Sequence, residues 1–256
     1  LLKDFDAWIA DDEKVGFIGR NGVGKTTLLR ILTGVDKDFD GVIEKPKHAL
    51  LMATEQEHTP IGKQTTLEHI TSRLPRFAEL QHIIDTYPEI MSESTHKMNV
   101  YSDALTEFSD HGYYEVENTI QTLFNAYQLD HELLNQPYAS LSGGQKRLVE
   151  LMSIQLSQPT VAILDEPTNH MDYIAKAAFI TWLKAAKHTV VVISHDRDVL
   201  SAVDRIIELK DARAHTFPGN YQAFLAQNAT NTVNQMQAFE TTEKRITNIK
   251  EQIEYA

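Results

Sequence analysis

The chain has 256 residues, of which 42% are hydrophobic and 23% charged, with a formal net charge of −12 and no cysteine. This is the composition of a globular protein with a sizeable core. It excludes a disulfide framework, a thiolate metal site and a cysteine nucleophile, and the acidic balance opposes broad contact with a polyanion. No apolar run reaches the roughly 18 to 20 residues that span a bilayer, and the first residues lack the basic-then-apolar layout of a signal peptide. A start at Leu1 and an uncapped helical pattern at the far end are expected of a segment cut from a longer chain.

Along the chain, Lys14 to Ile18 is a short apolar run, followed by a glycine-rich stretch and then by Thr26 to Leu32 at helical spacing. The order strand, loop, helix follows. From about Leu67 to Gln136 the pattern is mostly helical, punctuated by Pro75, Pro88 and Gly112, with Ile120, Leu123, Phe124 and Tyr127 on one face. Helical spacing resumes over Gly144 to Leu156. Val161 to Leu164 and Val190 to Ile193 are continuous apolar runs of the kind that form parallel strands buried on both faces. After Asn220 the chain becomes polar and helical; Phe239, Ile246, Ile249 and Ile253 fit either the start of a coiled coil or a plain amphipathic helix.

Gly19-Arg20-Asn21-Gly22-Val23-Gly24-Lys25-Thr26, with Thr27 behind it, has the complete spacing of a P-loop. Its glycines let backbone N–H groups approach phosphate oxygens, Lys25 brings charge to the β and γ phosphates, and the Thr26 hydroxyl is a ligand for Mg²⁺. The run from Val161 ends in Asp165 and Glu166, which places one carboxylate to hold the metal and the next to orient or deprotonate water. Between them lies Leu141-Ser142-Gly143-Gly144-Gln145, about twenty residues before that strand. The backbone N–H groups of Ser142 to Gly144 at a helix start make a second anion site, expected to serve another domain's nucleotide.

This order of motifs, completed by Ser194-His195-Asp196, resembles the ATP-binding cassette (ABC) ATPases through about residue 210. The resemblance implies a P-loop NTPase of α/β class: a mainly parallel core sheet, an antiparallel β portion near the start and a helical subdomain at about 67–155, with ATP and Mg²⁺ as ligands. It makes Gln56 a sensor of the γ-phosphate and a further metal ligand, Asp172 the D-loop aspartate, and His195 the switch histidine. The cassette domain is expected at 1–225, and 226–256 as the start of a helical linker.

Asp165 to Asp172 resembles the corresponding stretch of the ABC-F branch, with Met171 for its usual leucine, and Pro218-Gly-Asn-Tyr-Gln-Ala-Phe224 resembles the segment that closes a first cassette there. The segment Tyr101 to Tyr114 is similar as well, although His111-Gly112-Tyr113-Tyr114 departs from the family's Gly-Gly-Tyr-Glu. A cytoplasmic ATPase without membrane insertion is implied, part of a tandem-cassette translation or antibiotic-resistance factor, with the ribosome and a second cassette, in the same polypeptide or in a second copy of this chain, as partners. The alternative is the ATPase subunit of an ABC membrane transporter. A module that binds nucleotide without hydrolysis is opposed by Glu166 and His195. The family's adenine-stacking aromatic has no room before Gly19, and Phe5 and Trp8 are expected in the core of a first hairpin.

Overall fold

A computed structural model describes residues 3, 5–54, 63–89, 94–169 and 171–230. Gln56 and His170 lie outside the described residues, as do Phe239, Ile246, Ile249 and Ile253.

Six strands form one sheet: β1 (Lys14–Gly19), β2 (Leu51–Ala53), β3 (Val161–Asp165), β4 (Thr189–Ile193), β5 (Arg205–Lys210) and β6 (Arg213–Pro218). Their spatial order is β2-β3-β4-β1-β5-β6, parallel from β2 to β5 and antiparallel between β5 and β6. The inner strands are apolar throughout because both sheet faces are covered. Val191 and Ile193 of β4 face one hydrophobic cluster with Val15 and Phe17 of β1; Val190 and Val192 face the other. The first cluster is closed by Leu28 and Leu29 of α1 (Lys25–Leu32). The second is closed by α6 (Gly143–Ser157) and α7 (Tyr173–Ala185), with Val199 and Leu200 of the short α8 (Arg197–Leu200).

The helical region contains α2 (Thr66–Ser72), α3 (Phe77–Thr86), α4 (Thr95–Asp110) and α5 (Val116–Ala126). The expected face of α5 is buried at Ile120 and Phe124 and continues into Tyr127, with Leu123 partly buried against it. Each of α2 and α6 starts in a reciprocal cap: Thr65 with Glu68, and Ser142 with Gln145. Two of the four orphan N–H groups at each start are satisfied in this way.

The antiparallel portion differs from expectation. It lies at the β5–β6 hairpin, whereas the described residues before β1 and those between α1 and β2 contain no strand. Trp8 is 70% exposed rather than in a hairpin core. Its carbonyl accepts from Arg205 Nη2 at 2.6 Å and its ring lies 4.6 Å from the Arg205 guanidinium, which also pairs with Glu13 at 2.7 Å. Stacking on a cation keeps the indole at the solvent edge. Phe5 is half-buried against the cluster that α1 closes. Residues 221–230 are helical, and Phe224 packs edge-on against Phe217 at 5.0 Å.

Candidate functional site

Parallel register brings the motifs to one edge of the sheet. Phe17 of β1 and Asp165 of β3 both lie opposite Ile193 of β4, so the loop after β1, the acids ending β3 and the His195 segment after β4 emerge side by side. This carboxyl edge is where open α/β sheets bind ligands. A cavity of about 570 Å³ opens there, lined by Asn21, Gly22, Gly24, Lys25, Thr26 and Thr27, with Asp165, Glu166, Asn169 and His195 opposite.

The loop wraps tightly because Gly22 (φ 79°) and Gly24 (φ 108°) take left-handed conformations that a side chain disfavours. Gly24 caps α1, whose first N–H groups therefore point toward the cavity. Lys25 Nζ donates to its own loop, to Gly19 O at 2.7 Å and Arg20 O at 3.2 Å. Arg20 and Val23 do not line the cavity: Arg20 is exposed, and Val23 packs beside the α1 cluster.

Glu166 sits at φ 45°, an unusual backbone for a non-glycine residue, fixed by its N–H donating to Ile193 O at 2.8 Å. Its Oε1 is 3.5 Å from His195 Nε2, and its Oε2 accepts the His195 backbone N–H at 3.4 Å. Burial is the main cause of a pKa above the ordinary carboxylate value; His195 and Lys25 pull it back, while the neighbouring Asp165 charge adds to the rise. Asp165 is held by its backbone, its N–H donating to Thr54 Oγ1 at 2.8 Å and its carbonyl accepting from Arg147 Nη2.

Other expected residues stand apart from this cavity. Leu141 is buried, and Ser142 spends its N–H on Gln145 Oε1 at 2.9 Å. Gly143 and Gly144 follow this cap as the first residues of α6. Asp172 caps α7, accepting from Ala175 N at 2.7 Å and from Gln128 Nε2 at 3.0 Å. Thr54, Arg147 and Gln128 were not identified from sequence as site-supporting residues. Asn169 stood inside the Asp165–Asp172 motif without a role, and it is the structure that puts it at the cavity wall.

The donor set also constrains a metal. Among the described residues no group of three His, Cys, Asp or Glu side chains is arranged to bind one. The Thr26 hydroxyl and Asp165 carboxylate share the cavity, which fits Mg²⁺, an ion held by one or two oxygen ligands plus phosphate and water.

A glycine-rich loop running into a helix at the carboxyl edge of a parallel sheet, faced by paired acids, defines a P-loop nucleotide-binding domain. A family model described as ABC transporter matches residues 2–169, and a second of the same description matches 207–255. The chain belongs to the ABC family and carries its nucleotide-binding cassette.

The chain is 29% identical to the probable ATP-binding protein YheS of Escherichia coli K12, over 99% of this chain and 39% of that protein. It is 30% identical to the energy-dependent translational throttle protein EttA of Haemophilus influenzae, over 89% of this chain and 41% of that protein. It thus resembles members of the ABC-F branch and spans about two fifths of the length of these curated relatives. In fold it is similar to the dimeric ATP-binding cassette MJ0796 bound to ADP and Pi, with a TM-score of 0.56 and 24% identity over 85% of this chain and 90% of that one. No helix among the described residues is long and apolar enough to cross a membrane.

Proposed function

We propose that this chain is one cassette of a cytoplasmic ABC-F type ATPase that acts on the ribosome, binding ATP with Mg²⁺ and hydrolysing it when paired with a second cassette. The observation that carries the reading is the meeting of Glu166, His195, Lys25 and Thr26 around one cavity. Residues 1–225 would be the cassette, with a helical subdomain at about 67–155, and 226–256 would begin a helical linker to the second cassette.

In this reading Lys25 leaves the carbonyls of Gly19 and Arg20 for the β and γ phosphates, which lie along the N–H groups from Gly22 to Thr27. Thr26 and Asp165, with Gln56, would hold Mg²⁺, which would supply positive charge beside the phosphate oxygens. Glu166 takes a proton from the water that attacks the γ-phosphorus, while the bond to the bridging oxygen breaks and ADP departs. His195, beside Glu166, donates to the γ-phosphate. Ser142, Gly143 and Gly144 face the nucleotide of the second cassette, and Asp172 contacts that cassette across the closed pair. The ribosome enters from the resemblance to EttA, whose name is that of a translational throttle protein.

The test is sedimentation with purified ribosomes of the full polypeptide that carries this cassette, with Glu166 and its counterpart in the second cassette changed to Gln. Strong co-sedimentation with ATP and little with ADP supports the reading. Absence of ribosome association with either nucleotide overturns it in favour of a transporter ATPase subunit.

A further inference from the structure

We propose that Lys176 is a positioning residue for hydrolysis: it holds Asp196, and through Asp196 the backbone that places His195 against Glu166. This inference rests on the proposed ATPase reading and adds to it a residue outside the nucleotide cavity.

Lys176 lies one turn into α7, where its N–H donates to Asp172 O at 3.0 Å. Its side chain leaves the helix and crosses to the loop after β4. There Nζ is 3.1 Å from Asp196 Oδ2 and 2.7 Å from Asp198 Oδ2. The two contacts are unequal in environment. The side chains of Lys176 and Asp196 are 24% and 23% exposed, whereas that of Asp198 is 66% exposed, so water screens the outer contact more than the inner one.

Asp196 is a junction. Its Oδ2 also accepts from Thr168 Oγ1 at 3.4 Å, its Oδ1 caps α8 through Asp198 N at 2.9 Å, and its own N–H donates to Ser194 Oγ at 3.0 Å. Thr168 belongs to the segment directly after Glu166. One carboxylate therefore ties together the Glu166 segment, α7 and the His195 loop. The His195 side chain is 56% exposed, and packing alone does not fix it. Its placement depends on the backbone that Asp196 anchors.

The other end of the same turn of α7 meets the helical region. Asp172 accepts from Gln128 Nε2 at 3.0 Å, and Gln128 follows α5 in a left-handed conformation at φ 54°. A shift of α5 against the sheet reaches His195 through Gln128, Asp172, Lys176 and Asp196. Because the phosphate loop is not part of this chain of contacts, Lys176 governs turnover and leaves nucleotide affinity alone.

The experiment uses the full polypeptide that carries this cassette, with the second cassette silenced so that turnover reports on this site. Lys176→Met keeps most of the aliphatic stem and removes the charge. It is expected to lower kcat about 10- to 100-fold, the scale of an ångström-level misplacement, with KM, equilibrium ATP affinity and Tm nearly unchanged. Lys176→Arg should recover most of the rate, and Asp198→Asn should match wild type. Asp196→Asn, which keeps the cap oxygen and loses the charge, should lower kcat similarly and add nothing to Lys176→Met; it replaces Lys176→Met should that variant not melt cooperatively. A wild-type kcat in Lys176→Met, a matching loss of ATP affinity, or an equal loss in Asp198→Asn overturns the proposal. Glu166→Gln, run alongside, separates the two readings. If it is inactive while Lys176→Met is fully active, only the role of Lys176 falls; if it turns over like wild type, the ATPase reading and this inference fall together.

Discussion

Glu166 meets His195 twice, through a 3.5 Å approach of carboxylate to imidazole and through the His195 backbone N–H, which donates to the same carboxylate at 3.4 Å. The pairing follows from sheet register, since Asp165 lies opposite Ile193 and each motif residue comes just past its strand. His195→Ala should therefore slow hydrolysis about 10²-fold, within the range for a lost proton-handling or phosphate-directed group, while fluorescent ATP-analogue binding stays within a few-fold of wild type. Loss of binding in proportion to turnover would contradict this role.

The raised pKa of Glu166 makes a stability prediction of definite sign. Burial disfavours its charge in the folded state. A folded pKa above the unfolded one contributes stability that is present below the unfolded value and is lost as pH rises through the folded value. Above the folded value the ionised side chain is thus a net cost. Glu166→Gln should melt above wild type near neutral pH, and the gap should close near pH 4, about the ordinary glutamate value. Thermal unfolding at the two pH values checks it; a variant less stable than wild type at neutral pH refutes it.

Lys25 makes two backbone contacts in its own loop and lines the cavity. Its ammonium is replaceable there only by another flexible cation. Lys25→Ala should weaken ATP binding by about 10- to 100-fold, the equivalent of about 1.5–3 kcal/mol for hydrogen bonds to a charged group. Titration calorimetry with ATP reads this directly. Because Lys25 contributes no core packing, its Tm should move little.

Two glycines of β1 predict a contrast. A Cβ on Gly19 would lie 2.7 Å from Leu209 O, a main-chain atom of a paired strand, and 3.0 Å from Val23 Cγ1. A Cβ on Gly16 would first meet Leu200 Cδ2 at 2.8 Å, the tip of a side chain that can rotate. Gly19→Ala should cost about 1–3 kcal/mol as an overpacked site, and Gly16→Ala less. Urea unfolding of both variants gives the order.

Much of the site was legible because its chemistry is local. The P-loop spacing, the acids at the end of β3 and the Leu141 to Gln145 loop at a helix start each lie within a few residues, and β1, β3 and β4 announce themselves as apolar runs because both faces are buried. β6 gave no such signal: it is an edge strand in which Phe217 is the buried residue. Trp8 lies outside the core against Arg205, a partner distant in sequence, in a contact that no local pattern reveals. The contacts of Thr54 with Asp165, Gln128 with Asp172 and Lys176 with Asp196 likewise join distant segments. Only the folded sheet and helices bring those pairs together.

In the proposed reading Glu166 activates water in an ATP-hydrolysing cassette. The most direct measurement is phosphate release by the full polypeptide carrying Glu166→Gln, with the second cassette silenced in both variant and reference, beside equilibrium ATP binding. Binding should be retained and turnover should fall by about 10²- to 10⁴-fold. Turnover equal to the reference would contradict that reading.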